Sequence, residues 1–137
     1  MKKILTLFFA SVLFFSCSEE PPLELFSAEA FAYEIDNGWE LNASLNVKGF
    51  RQIEEEDIYY TNLKYIVDFV TPEKDTLKEF DFGTIIKQEK EELLDVTIEV
   101  QAEIDSNYSP GKYLLIYTVF DNNSDRDTTT VKPFILE

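Results

Sequence analysis

Few residues of this 137-residue chain could carry out chemistry, because it contains no histidine and only one cysteine, Cys17. Histidine is the usual general acid–base near neutral pH and the commonest metal ligand. Its absence excludes Ser–His and Cys–His catalytic pairs and histidine-based zinc sites. One cysteine also excludes a disulfide within the chain.

Two runs of acids could in principle supply the general acid and base of a glycosidase. They are Glu54-Glu55-Glu56 and Glu91-Glu92. Runs of like charge usually form a solvated surface, and nothing in the sequence places these in a cleft. We therefore predict a protein that is not an enzyme and that needs no cofactor.

The segment from Asp121 to Asp127 carries side-chain oxygens at every second position: Asp121, Asn123, Asp125 and Asp127. This spacing resembles the first half of calcium loops of the D-x-N-x-D type. Those loops need glycine at the sixth position and a bidentate acid at the twelfth, where this chain has Arg126 and Lys132. We therefore favour a polar hairpin loop without a metal site, with at most millimolar calcium affinity.

Three aromatic residues, Trp39, Tyr59 and Tyr60, could offer a platform for sugar rings. Trp39 is in register with the alternating apolar residues that follow it, which favours a position in the core. We expect all three to lie in or near the core. A glycan-binding accessory of a nutrient-uptake system remains the alternative function.

The residues before Cys17 explain its position in the chain. Lys2 and Lys3 precede an apolar run from Ile4 to Phe15, which is shorter than the roughly 20 residues of a membrane span and is typical of a signal peptide. Its end at Ser16-Cys17 resembles the lipobox of bacterial lipoproteins, as found in Bacteroidota. The resemblance implies that residues 1–16 are removed and that acyl chains on Cys17 anchor the protein in a membrane.

The residues after the cysteine bear on localisation. Ser18, Glu19 and Glu20 resemble the acidic export signal of Bacteroidota surface lipoproteins. This resemblance implies the outer face of the outer membrane, with the periplasmic face as the alternative. Pro21-Pro22 predicts a stiff tether, which we place over residues 17–26, before a domain over residues 27–137.

Two triplets resemble the short O-glycosylation acceptor of the same phylum. They are Asp75-Thr76-Leu77 and Asp127-Thr128-Thr129. The resemblance makes Thr76 and Thr128 candidate glycosylation sites.

The charge of the chain limits its partners. It has 27 acidic and 12 basic residues and a net charge of −15, so nucleic-acid phosphates would repel it. We predict no nucleic-acid partner, a membrane contact through the lipid alone, and a protein or a glycan as the remaining partner.

The hydrophobic content of 45% is enough to form a core in one domain.

Alternation with period two dominates the rest of the chain. Leu41 and Leu45 alternate with polar residues over 39–47, and Leu94, Val96, Ile98 and Val100 do so over 94–104, so we expect them to face the core. Residues 58–70 and 112–120 are apolar on both sides and predict central strands. Weaker strands are predicted at 28–36, 77–86 and 128–136.

About seven strands in one domain indicate an all-β protein, an antiparallel β-sandwich. The segment from Tyr108 to Asp121 has a Pro-Gly turn that leads into an aromatic-rich strand. It resembles the sixth strand of immunoglobulin-like and fibronectin-type domains, and this resemblance implies an immunoglobulin-like sandwich. A lipocalin-like barrel is the competing architecture, but it would need eight strands and more residues.

Overall fold

The computed structural model describes residues 20–137, which form eight β-strands and no helix. The predicted leader (residues 1–16), Cys17, Ser18 and Glu19 lie outside the described residues. In the described part there is no helix that is long and apolar enough to cross a membrane. The strands are β1 Glu24–Ile35, β2 Gly38–Lys48, β3 Ile53–Glu55, β4 Ile58–Val70, β5 Thr76–Glu89, β6 Val96–Asp105, β7 Gly111–Asp121 and β8 Arg126–Leu136.

The strands form two antiparallel sheets packed face to face. The three-stranded sheet has the order β1-β2-β6, and the five-stranded sheet contains β3, β4, β5, β7 and β8. Tyr59 of β4 pairs with Glu89 of β5 and with Glu54 of β3, so β3 and β5 lie on opposite edges of β4. The predicted antiparallel β-sandwich is confirmed, with eight strands where about seven were expected.

The connectivity is immunoglobulin-like. In the variable-type immunoglobulin arrangement an additional strand, C′, joins the sheet that contains the sixth and seventh strands. Here β5 takes that place beside β4, and the remaining order is β4-β7-β8. Each predicted central strand is therefore flanked on both sides by other strands.

Alternating residues of both sheets fill the core, as the period-two pattern predicted. Leu41, Leu45, Ile98 and Val100 are buried, and Leu45 is fully inaccessible. The five-stranded sheet contributes the buried side chains Leu63, Val67, Phe69, Tyr113, Leu115, Tyr117, Val119, Phe134 and Leu136.

A tyrosine fixes the start of β7. The hydroxyl of Tyr113 donates a hydrogen bond to the backbone oxygen of Ser109, at 2.6 Å. This bond matches the tyrosine corner of immunoglobulin-like sandwiches, in which a tyrosine near the start of the sixth strand bonds the backbone a few residues upstream. The ring of Tyr113 stacks on Phe69 with the centroids 5.1 Å apart, so the corner is joined to the core.

The expected position of Leu94 is wrong, because this side chain is 88% exposed. Pairing with β2 begins at Val96, opposite Val47. The segment before it is held by Gln52, whose side chain bonds the backbone nitrogen and oxygen of Leu93 at 2.8 and 2.9 Å. Leu93 packs against the core, and Leu94 therefore points outward.

Other strand bounds also differ from the sequence pattern. β1 begins at Glu24, four residues before the expected start, and β5 continues to Glu89. The short strand β3 was not anticipated. It exists because Glu56 and Asp57 turn the chain with positive φ angles of 50° and 64°, so that Ile53–Glu55 folds back on the start of β4.

Candidate functional site

The candidate calcium loop is built around a buried carboxylate. The side chain of Asp121 is fully buried and accepts hydrogen bonds from the backbone nitrogen of Arg51 at 2.7 Å and from the hydroxyl of Ser124 at 2.6 Å. The Asn123 amide donates to the backbone oxygens of Arg51 and Tyr60 at 3.0 and 2.9 Å. These two side chains therefore join the β7–β8 turn to the segment after β2 and to the start of β4.

Arg126 supplies a positive charge inside this loop. Its guanidinium lies 3.3 Å from Asp121 Oδ2 and donates to the backbone oxygens of Pro21 and Gly49 at 2.7 and 2.8 Å. Asp125 and Asp127 are exposed, so the four candidate ligands do not converge. Across residues 20–137, no group of three or more acidic or cysteine side chains is placed to hold a metal ion.

The segment before β1 is clamped to the same end of the sandwich. The carboxylate of Glu20 accepts two hydrogen bonds from Arg51, at 2.7 and 2.8 Å. The Arg51 hydrogen bond holds the pKa of Glu20 below its ordinary value. Gly49 has a φ of +79°, and a side chain there would collide with the backbone oxygen of Pro22, so a glycine is required where the segment docks.

Of the other sequence candidates, the two acidic runs approach each other around Tyr59: the charge of Glu54, then burial and the charge of Glu92, raise the pKa of Tyr59. The side chains of Glu54–Glu56 and of Glu91 and Glu92 are exposed on turns and short strands. Trp39 is buried, as expected, and its indole nitrogen donates to the backbone oxygen of Glu137 at 3.0 Å. Tyr59 and Tyr60 are half-buried. Of the glycosylation candidates, Thr76 is exposed and Thr128 is half-buried.

The outer side of the three-stranded sheet carries exposed aromatic and amide side chains, and we call it the aromatic face. Phe31 and Tyr33 are both 57% exposed and stand opposite Asn42 and Glu40. Glu40 accepts hydrogen bonds from the amides of Asn42 and Gln101 at 3.2 and 3.0 Å. These bonds lower the pKa of Glu40, with the larger effect from Gln101.

The outer side of the five-stranded sheet is largely apolar, and we call it the apolar face. Phe82 and Ile86 are 65% and 66% exposed, and Val131 and Ile135 are each 50% exposed. Between them lie the half-buried side chains of Ile66, Val70, Leu114, Ile116 and Phe120. Strand pairing makes this surface continuous, since Phe82 is opposite Ile66 and Ile116 is opposite Val131. No helix or strand of residues 20–137 packs over it.

Sequence reasoning missed both faces. Residues 58–70 and 112–120 were assigned to the middle of a sheet because both of their sides are apolar, and this is correct. Strands that are apolar on both sides are usually covered on both sides, and the described residues cover only one side of these. The signal that could have revealed the apolar face is the apolar residues on both sides of β8, where Phe134 is buried and Ile135 is exposed.

No protein-family model matches the chain, and no curated protein is significantly similar to it.

Proposed function

We propose that this chain is a lipid-anchored, non-enzymatic lipoprotein of the outer membrane that serves as an interaction or structural accessory module. The observation that carries the proposal is the apolar face. Monomeric soluble proteins rarely expose large continuous apolar surfaces, and such surfaces commonly mark protein–protein contacts. Phe82, Ile86, Val131 and Ile135 are all at least half exposed on one sheet, which favours a protein partner at that sheet.

The anchor is proposed to be Cys17, with the domain exposed at the cell surface and the periplasmic face as the alternative. The lipobox-like Ser16-Cys17 and the acidic residues that follow support this assignment. Three acyl chains would hold the protein firmly, since each buried methylene contributes about 0.8 kcal/mol. Mass spectrometry of the membrane fraction tests the anchor: we expect an acylated Cys17 at the N-terminus, and an intact Met1 with a free thiol would contradict it.

The docking surface is tested by crosslinking in cells. A photo-reactive amino acid placed at Phe82 of the lipidated protein should give a discrete crosslinked product. The same amino acid at Thr97, on the aromatic face, is the matched control and should give none. Equal crosslinking patterns at the two positions would contradict the proposed docking surface.

Glycan binding is the second candidate, and the aromatic face favours it. Two exposed rings beside carboxylate and amide groups combine an apolar platform with hydrogen-bonding side chains, as ligand sites do. Electrophoresis through gels that contain polysaccharides would test this function. Tyr33→Ala should weaken retention about 10-fold if one stacked ring contributes roughly 1.4 kcal/mol, whereas Phe82→Ala should leave it unchanged. Failure of every polysaccharide to retard the wild-type protein would remove this candidate.

A further inference from the structure

The apolar face is the outer face on which the charges of this acidic chain come closest to balance. Three lysines and three acids lie around its apolar centre: Lys64, Lys78, Lys112, Asp68, Glu79 and Asp127. A fourth acid, Glu55, lies toward one end of the same side, opposite Ile58. The aromatic face instead carries Glu29, Glu40, Glu99 and Glu103, and Lys48, the cation that residues 20–137 place there, is already paired with Glu24 at 3.5 Å. Two copies of the chain would therefore repel each other much more strongly across the aromatic face than across the apolar face.

The charges on β4 are self-complementary. Lys64, Ile66 and Asp68 occupy alternate positions of one strand and therefore point to the same side of the sheet. Lys64 and Asp68 each lie about 7 Å from Ile66, in opposite directions along the strand. A two-fold axis that passes through Ile66, in the plane of the contact and perpendicular to β4, sets Lys64 of each copy opposite Asp68 of the other. Such a contact uses the same surface on both copies.

The row of side chains through Ile66 suits a position on this axis. Phe82, Ile66, Thr118 and Thr129 are aligned across four strands by their pairing. Each would face its own counterpart, and none of them is charged.

We infer that the occupant of the apolar face is a second copy of this chain, packed as a two-fold dimer centred on Ile66. The inference rests on the proposed function in taking this face as the docking surface. Burial of Phe82, Ile116 and Val131 in the contact stabilises the dimer, and the two Lys64–Asp68 pairs fix its register.

Charge exchange tests the inference on residues 20–137, which contain both sheets and the entire core. Sedimentation equilibrium should show the mass of a dimer that dissociates on dilution. Residue 64 faces residue 68 of the other copy at two places in the dimer. Lys64→Asp and Asp68→Lys each put two like charges opposite one another at both places, so each should weaken dimerisation at least about 10-fold. The double variant exchanges the two charges within one chain and should restore dimerisation. A different protein partner could not produce this restoration.

Two controls keep the outcome interpretable. Glu99→Lys changes a charge on the aromatic face and should leave the mass unchanged. Asp68 Oδ1 accepts a hydrogen bond from the backbone nitrogen of Glu79 at 2.9 Å, so unfolding midpoints must show that the Asp68 variants are folded. If they are not, Thr118→Cys replaces them, since a short bis-maleimide should link two copies at this position and should not do so at Thr97→Cys.

Three results would overturn the dimer. They are a monomeric mass at every soluble concentration, a double variant as weak as the single variants, and equal linking at positions 118 and 97. If a monomer in solution still crosslinks from Phe82 to a different protein in cells, the dimer is wrong and the proposed function stands. If Phe82 gives no crosslink in cells either, both are wrong.

Discussion

Arg126 places its guanidinium 3.3 Å from the fully buried carboxylate of Asp121, inside the loop whose oxygen spacing resembles a calcium site. The arginine also bonds the backbone oxygens of Pro21 and Gly49. The positive charge beside Asp121 is therefore supplied by the chain itself. Arg126 also joins the loop to the segment before β1 and to the segment after β2, at one end of the sandwich.

We predict that calcium does not bind this loop tightly. Asp121 is already engaged by Arg51, Ser124 and Arg126, while tight sites need six to eight oxygens around the ion. Calorimetry at physiological ionic strength should show weak heats that decrease as salt is added. A saturable, roughly stoichiometric site of micromolar affinity that Asp121→Ala abolishes would contradict this interpretation.

Asp121→Ala should destabilise the protein by about 3 kcal/mol. The substitution leaves the backbone nitrogen of Arg51 without its acceptor and removes the carboxylate beside Arg126, and hydrogen bonds to charged groups contribute about 1.5–3 kcal/mol. Asp125→Ala in the same loop is the matched control and should change stability by less than about 0.5 kcal/mol because Asp125 is exposed. Urea unfolding measures both changes, and equal effects would show that the buried network does not stabilise the turn.

Two tyrosines on β7 should respond in opposite ways to loss of the hydroxyl. Tyr113→Phe removes the bond to Ser109 and should cost about 1 kcal/mol. The buried hydroxyl of Tyr117 has no hydrogen-bond partner among residues 20–137, so Tyr117→Phe should be neutral or slightly stabilising at pH 7. Thermal unfolding of the two variants side by side tests this; a larger loss for Tyr117→Phe would contradict it.

Tyr117 should also govern part of the alkaline stability. Burial, with a smaller effect from the charge of Asp81, raises the pKa of Tyr117 to about 12. Because the folded-state pKa lies above the unfolded value of about 10, burial of the neutral Tyr117 side chain contributes fully to stability below pH 10. This contribution to the free energy of unfolding is lost as the pH rises toward 12. Urea midpoints measured from pH 8 to 12 should therefore fall less steeply for Tyr117→Phe than for the wild type. Parallel curves would contradict the assignment.

The stability of the protein at acidic pH should depend on Glu20. The Arg51 hydrogen bond lowers the pKa of Glu20, so its contribution is present above the unfolded-state pKa and is lost as the pH falls through the lower folded-state value. The stability difference between wild type and Glu20→Gln should therefore be visible at neutral pH and should disappear in acid. Since both side chains are partly exposed, added salt should also reduce it. A difference that is unaffected by pH would show that the carboxylate charge is not the cause.

The alternating strands could be read directly from the sequence, because one side of β2 and of β6 meets the core and the other meets water. Leu45 is fully buried as the pattern required. The pattern failed at Leu94, because the strand start is set by the bond between Gln52 and Leu93, across 41 residues of sequence. Leu45→Ala should cost about 2–5 kcal/mol, whereas Leu94→Ala should be nearly neutral.

The contacts of Glu20 and the two exposed faces could not be predicted from the alternation of apolar and polar residues. The role of Glu20 depends on Arg51 and Arg126, which only the closed sandwich brings together. Ile66 and Ile116 have the composition of buried residues, and a sequence pattern cannot show whether the covering layer belongs to the same chain. Exposure of the neighbouring Phe82 and Val131 in the folded domain shows that the described part of the chain supplies no such layer.

Thiol protection on intact cells tests the central claim, that the apolar face is covered where the protein works. Thr129 on the apolar face and Thr97 on the aromatic face both lie on edge strands, and each contacts one cross-strand side chain, at 3.3 and 2.7 Å. If Cys17 is acylated as proposed, Thr129→Cys or Thr97→Cys introduces a single free thiol. We predict that maleimide modifies position 129 several-fold more slowly than position 97 in cells and equally fast after denaturation. Equal rates on intact cells would show that the apolar face is open and would contradict an interaction module that docks through it.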